Sequence, residues 1–293
     1  VNWGWGGSYD GFFSLDGLTP GSRKYDSQHE AVINIKPLAW LTQSSGITRN
    51  LLAVKAVDTL TVWSCGEGGI VIRSSNAGVN WSRTAFPDTA FSLCSIDALS
   101  SNVAWVAGTK GLAGDAGVWK TADGGATWTR QLAWQQLTSR IRSVRFFDAS
   151  NGIALGDPVA GEFAVWTTLD GGGTWNPVPG SAIPDPSSGE FSNGNGLCVN
   201  GNSAWFGTGE RNTGLVRVLR SGDRGLTWST GGILPGLGNT LVSTCFATPA
   251  LGWTLGVNGS VSSSTNGGQT WSPALPTGAL KGTSIAYIGG PVT

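Results

Sequence analysis

Five copies of one eight-residue turn motif, a Trp-to-Trp period of 43 to 53 residues and short β-rich runs on both sides of each copy predict an all-β chain. The expected architecture is a single six-bladed β-propeller of four-stranded antiparallel blades. Composition points the same way. Gly numbers 46 and Trp 15 of 293 residues, while charged residues make up only 12%, too few for long amphipathic helices with charged outer faces.

The motif copies are SSNAGVNW, TADGGATW, TLDGGGTW, SGDRGLTW and STNGGQTW, ending at Trp81, Trp128, Trp175, Trp228 and Trp271. Their common form is Ser/Thr-x-Asp/Asn-x-Gly-x-x-Trp. Each residue type has a task. The side-chain oxygen of Asn76, Asp123, Asp170, Asp223 or Asn266 can accept backbone N–H groups of a tight turn. The following Gly supplies a positive φ, and the Trp packs the departing strand. Before each motif come three β runs, as in LLAVKAV, TVWSCG and GIVIRSS; the strand after the Trp makes a fourth. The alternation of Asp and Asn at one position argues for hydrogen bonding to the turn rather than for calcium, so no metal and no cofactor is expected.

Five full blades account for residues 45–280 and leave both ends over. Trp63 precedes Asn76 by 13 residues and Trp253 precedes Asn266 by 13; at the amino terminus Trp3 precedes Asp16 by the same interval. The stretch VNWGWGGSYDGFFSLDG therefore reads as two strands of a sixth blade with a degenerate motif, Leu18 and Gly21 standing where Gly and Trp belong. The segment GTSIAYIGG reads as its missing first strand. Blade six is thus expected from residues 281–293 plus 1–44, with pairing of the two ends closing the ring, one domain spanning residues 1–293 and a seventh blade as the alternative. An insertion, LTPGSRKYDSQHEAVIN, sits in this blade and holds His29, the single His of the chain.

The five motifs resemble the Asp-box, or BNR, repeat of sialidase-like propellers, and the segment RSVRFFDASNGIALGDPVAGEFAVWTTLDGGGTW resembles the photosystem II assembly-factor-like propellers of bacteria. The resemblance implies a non-catalytic interaction or assembly module that uses arginine-rich surface to bind a protein partner. Sialidase chemistry is not expected: the Arg-x-Pro signature is missing, and of Tyr9, Tyr25 and Tyr287 only the last falls in an innermost strand.

Net charge is zero, with 18 basic and 18 acidic residues, so no overall field attracts nucleic acid. No apolar run of about 18 residues suits a membrane-spanning helix. The absence of Met, position 1 included, leads to the expectation of a processed, extracytoplasmic form. Cys65, Cys94, Cys198 and Cys245 are widely spaced without a CxxC pair, which leaves buried thiols or disulfides between neighbouring elements open.

Arginine is the most unevenly distributed residue. Arg130, Arg140, Arg142 and Arg145 form one cluster; Arg211, Arg217, Arg220 and Arg224 form another. Alternation puts Arg140 and Arg142 on one face of a first strand and Arg145 on the other. The expected partner-binding set is Arg140, Arg142, Arg145, Glu162, Glu210, Arg211 and His29, gripping a protein partner within a larger complex. No catalytic residue is assigned. A glycan-acting hydrolase with carboxylates such as Asp157, Glu162, Glu210 or Glu67 at the channel mouth, or a glycan-binding lectin, is the competing expectation.

Overall fold

The computed structural model describes residues 43–111, 114–135, 140–193, 196–210, 216–234, 240–275 and 284–285, the side chains of Glu210 and Leu275 excepted. The chain divides into two units, residues 1–42 and 43–293, and the described fold belongs to the second.

That unit is an all-β propeller whose blades are antiparallel sheets in sequence order. Blade one comprises β1 (Leu51–Ala56), β2 (Val62–Gly66), β3 (Ile70–Ser74) and β4 (Ser82–Arg83). Blade two comprises β5 (Phe91–Ala98), β6 (Ala104–Lys110), β7 (Asp115–Thr121) and β8 (Thr129–Gln135). Blade three comprises β9 (Ile141–Phe146), β10 (Gly152–Gly156), β11 (Val165–Thr168) and β12 (Asn176–Pro177). In blade four the first strand is split into β13 (Glu190–Ser192) and β14 (Cys198–Asn200), both pairing with the long β15 (Ser203–Glu210), followed by β16 (Arg217–Ser221) and β17 (Ser229–Ile233). Blade five comprises β18 (Leu241–Phe246), β19 (Gly252–Gly256), β20 (Val261–Ser264) and β21 (Ser272–Leu275).

The described residues thus hold five blades, neither the six expected nor the alternative seven. The physical reason lies in what defines a blade. Each of the five has a complete turn motif, whereas the sixth rested on a degenerate one and on a 13-residue interval that the blades do not share: Trp105 precedes Asp123, and Trp205 precedes Asp223, by 18. The interval follows loop length, not blade identity. The strands assigned to a sixth blade and the pairing of the two ends fall outside the described residues, apart from Gln43, Ser44, Ser284 and Ile285. Ile285 exchanges backbone N–H and C=O hydrogen bonds with Ser243 Oγ at 3.1 and 3.4 Å, and Val144 of β9 does the same with Ser95 Oγ at 3.1 and 3.4 Å.

First strands pack side by side, β1 on β5, β5 on β9, β9 on β14 and β14 on β18, so they form the inner face of the unit. The core lies between blades. Four apolar clusters occupy the four junctions: Trp63, Val71, Leu93 and Trp128 at the first; Trp105, Val118, Ile141 and Phe146 at the second; Ile153, Leu155, Phe206 and Trp228 at the third; Trp205, Val218, Leu241 and Trp271 at the fourth. The middle strands of the blades, such as β10 and β11, are buried on both faces, whereas the outermost strands β4, β8, β12 and β17 are exposed or half-buried.

The second-strand Trp side chains tie successive blades. Trp63 Nε1 donates to Ser100 O at 3.1 Å, Trp105 Nε1 to Gly171 O at 3.1 Å and Trp205 Nε1 to Gly267 O at 2.9 Å, each reaching a turn of the next blade. Trp105 also stacks on Phe146, centroids 3.6 Å apart, and Trp205 on Phe246 at 3.8 Å. Buried aromatic area supplies the main attraction and the indole N–H fixes the register of the contact.

Candidate functional site

The five turn motifs share one hydrogen-bond pattern. In the second blade Thr121 Oγ1 donates to Asp123 Oδ1 at 2.8 Å and accepts the Gly125 N–H at 2.9 Å, while Asp123 Oδ1 accepts the Thr127 N–H at 2.9 Å. The third and fourth blades repeat it through Asp170 and Asp223, and the first and fifth through the neutral Asn76 and Asn266. Hydrogen bonds from Thr127 hold the Asp123 carboxyl down at about 2, and those from Thr174 and Thr168 do the same for Asp170. The residue after Asp or Asn takes a positive φ in every copy, with Gly at three of the positions, Ala77 at φ 58° and Arg224 at φ 63°. Of the motif indoles, Trp128, Trp228 and Trp271 are buried and Trp81 and Trp175 partly so.

Two of the three arginines expected in the first strand of blade three are engaged. Arg142 grips Asp157 bidentately, Nε to Oδ1 at 2.8 Å and Nη2 to Oδ2 at 2.9 Å. Arg145 turns toward blade two, where Nη1 donates to Ser95 Oγ at 3.0 Å and Ile96 O at 3.2 Å. Arg140 differs. It is exposed and makes no ion pair among the described residues. With Arg142, Ile141, Ser92, Cys94, Thr109 and Gly111 it lines a groove of about 430 Å³ at the junction of blades two and three. The Cys94 thiol is spent on the Ile141 carbonyl at 3.2 Å, and burial raises it to about 11.

Of the remaining expected residues, only Glu162 has a described side chain, and it is not part of that lining. Glu162 is exposed on the turn between β10 and β11, its carboxylate against Gly180. His29 and Arg211 lie outside the described residues, as does the side chain of Glu210. In blade four Glu190 is buried and bidentate with Arg217, Nε to Oε1 and Nη2 to Oε2 both at 2.9 Å. Glu67 accepts from Asn50 Nδ2 at 3.3 Å. Among the described residues no group of three metal-ligating side chains converges.

Strand register reveals a second constellation that reading the sequence missed. Lys55, Asp97, Arg145, Cys198 and Cys245 lie opposite Trp63, Trp105, Ile153, Trp205 and Trp253, so they occupy one equivalent position in the five first strands. Lys55 Nζ pairs with Asp97 Oδ1 at 2.8 Å. Asp97 Oδ2 accepts the Phe146 N–H at 2.7 Å, and Cys198 Sγ accepts the Phe246 N–H at 3.3 Å in the same manner. The signal was present as the central charged or thiol residue of VKA, IDA, VRF, LCV and TCF, and becomes visible only when the first strands are aligned on their second-strand partners.

No protein-family model matches the chain, and no curated protein matches it. Solved structures do. The GH74 enzyme of Niastella koreensis superposes with a TM-score of 0.60 at 15% identity over 77% of this chain, and the GH74 xyloglucanase of Xanthomonas campestris with 0.55 at 16% over 77%. The chain spans 38% of the length of each. A structure of YCF48 bound to D1 peptide aligns over 78% of this chain and 82% of its own at 17% identity, with a TM-score of 0.42. At these identities the likeness to the GH74 enzymes shows the fold, a β-propeller, and not the activity.

Proposed function

We propose that this chain is a non-catalytic, protein-binding propeller that takes a carboxylate-bearing peptide segment in the groove between blades two and three, with Arg140 as its anchor. The observation that carries this reading is the contrast between neighbours: Arg142 is neutralised by Asp157, whereas the guanidinium of Arg140 stands exposed at the rim of the same groove. A guanidinium fork offers two parallel N–H donors to a carboxylate, and Ser92 adds a hydroxyl to the groove lining. Membership of the Asp-box class and a working place outside the cytoplasm belong to the same reading. The hydrolase alternative needs two carboxyl groups facing one cleft. No carboxylate is among the groove's described lining residues, Asp157 is committed to Arg142, and Glu190 to Arg217.

Fluorescence anisotropy with labelled acidic peptides, each made with a free and with an amidated carboxyl terminus, tests the proposal. The wild type should bind a subset of them, and Arg140→Ala should lose about tenfold in affinity, as loss of one charge-assisted contact implies. Unchanged affinity in Arg140→Ala, or release of reducing sugar from xyloglucan by the pure protein, overturns it.

A further inference from the structure

The two cysteines of the inner position are neighbours across a blade junction. Cys198 lies on β14 and Cys245 on β18, strands that pack directly on one another. The Cys198 sulfur is 3.3 Å from the Phe246 nitrogen, the amide joined to Cys245 itself. Cys198 and Cys245 also share a side-chain hydrogen bond. The junction is held in register from the next residue but one, since Asn200 Nδ2 donates to Phe246 O at 3.2 Å and to Ala247 O at 3.0 Å. Both cysteines are partly exposed, and all four cysteines of the chain are thiols.

The chemistry around this pair differs from that around the other two. Cys65 is fully buried and donates to Leu93 O at 3.4 Å; burial drives its thiol well above the usual range, as it does for Cys94. Cys198 moves the opposite way. The hydrogen bond with Cys245 lowers it against the effect of burial, helped by the Phe246 N–H and by the positive charges of Arg145 and Lys55 at the same level of the inner face. A thiolate is the attacking species in thiol–disulfide exchange, so a cysteine with a second sulfur beside it and cations nearby is suited to that reaction.

We propose that Cys198 and Cys245 form a redox-active dithiol that closes to a disulfide between blades four and five by exchange with a disulfide substrate. The Cys198 thiolate attacks one sulfur of the substrate, the substrate S–S bond breaks, and its second sulfur leaves as a thiolate. Cys245, deprotonated, then attacks the Cys198 sulfur of the mixed disulfide and expels the remaining thiolate. Two protein thiols are oxidised, the substrate disulfide is reduced to two thiols, and two protons pass to the departing thiolates. The closed form would staple covalently two first strands that the thiol form joins by packing and hydrogen bonds.

The test treats the whole chain with oxidised glutathione, then unfolds it in denaturant, blocks residual thiols with iodoacetamide, and reads intact mass and peptide map. Expected are the loss of two hydrogens, two alkylated cysteines in place of four, and a linked Cys198–Cys245 peptide that dithiothreitol reverses. Cys245→Ser should trap glutathione on Cys198 as a stable adduct. Four thiols left intact, stable glutathione adducts on the wild type, or a linkage involving Cys65 or Cys94 overturns the proposal. The wild-type map decides the matter even if the Ser variant folds poorly.

Discussion

Lys55 Nζ sits 2.8 Å from Asp97 Oδ1, and the same carboxylate accepts the Phe146 N–H, so one buried side chain in blade two holds a side chain of blade one and the backbone of blade three. The Asp97 side chain is 2% exposed and that of Lys55 40%. Replacing Asp97 with Ala leaves a buried N–H without its acceptor and a cation without its partner. The expected loss is about 2–4 kcal/mol, while Lys55→Met, which leaves the buried carboxylate without its cation but still accepting the Phe146 N–H, should cost less. Equilibrium urea unfolding of the two variants checks the order, and a costlier Lys55→Met would reverse the assignment of which partner matters.

Asp123 and Asp170 provide a pH dependence of defined sign. Their carboxyls titrate near 2 in the folded chain, below the ordinary value of about 4 in the unfolded one. The unfolded state therefore binds more protons in this window, and the stability these groups contribute is full above about pH 4 and lost as pH falls toward 2. The double variant Asp123→Asn, Asp170→Asn, which copies Asn76 and Asn266, should fold and show a shallower fall of melting temperature between pH 4 and 2. The fall should persist in part, because Asp58, Asp88, Asp148 and Asp223 are also lowered by hydrogen bonds. An unchanged slope would show that the turn carboxylates contribute nothing to acid unfolding.

Ala77 holds the left-handed conformation that Gly adopts at the matching position of three other blades. A non-Gly residue there costs about 1–2 kcal/mol, and Gly loses part of that advantage through unfolded-chain entropy, so Ala77→Gly should stabilise by about 0.5–1 kcal/mol. Arg224→Gly should not. Arg224 donates to Asn202 Oδ1 at 2.9 Å and pairs with Asp148 at 3.1 Å, contacts that Gly removes. Thermal unfolding of both variants should move the melting temperature up for the first only.

The indole ties between blades can be separated from the stacking that accompanies them. Trp105→Phe keeps an aromatic ring against Phe146 but loses the bond to Gly171 O, an expected cost of about 1–2 kcal/mol including the cavity. Trp105→Ala removes both and should cost about 3–5 kcal/mol. Equal losses in the two variants would assign the whole effect to the hydrogen bond.

What could be read in the sequence follows from where information is local. Five turn motifs are local: each encodes its own hydrogen bonds, and from them the order of strands within a blade follows, as in LLAVKAV, TVWSCG and GIVIRSS for β1, β2 and β3. Blade number at the ends is not local, and the Trp-to-motif interval that stood in for it varies with hairpin length, so six was expected where five are described. The split first strand of blade four was legible only as GLCVNG, because the stretch NGNG between β13 and β14 reads as a turn separating two elements and not as an interruption within one strand. The arginine cluster was legible as a cluster; which arginine stays exposed depends on Asp157 lying opposite Arg142, a relation between β9 and the end of β10. The inner position of the first strands needed three-dimensional register to be seen at all.

That inner position has a consequence for how the repeat can be rearranged. The turn motifs make the blades interchangeable as hairpins, but Lys55, Asp97, Arg145, Cys198 and Cys245 make each a numbered place in a sequence of neighbours. A shuffled chain with blade three beside blade one would fold each hairpin as before and set Arg145 against Lys55, two like charges where an ion pair now stands. The motifs write the letters of this fold, and the five inner residues fix the order in which they can be spelled.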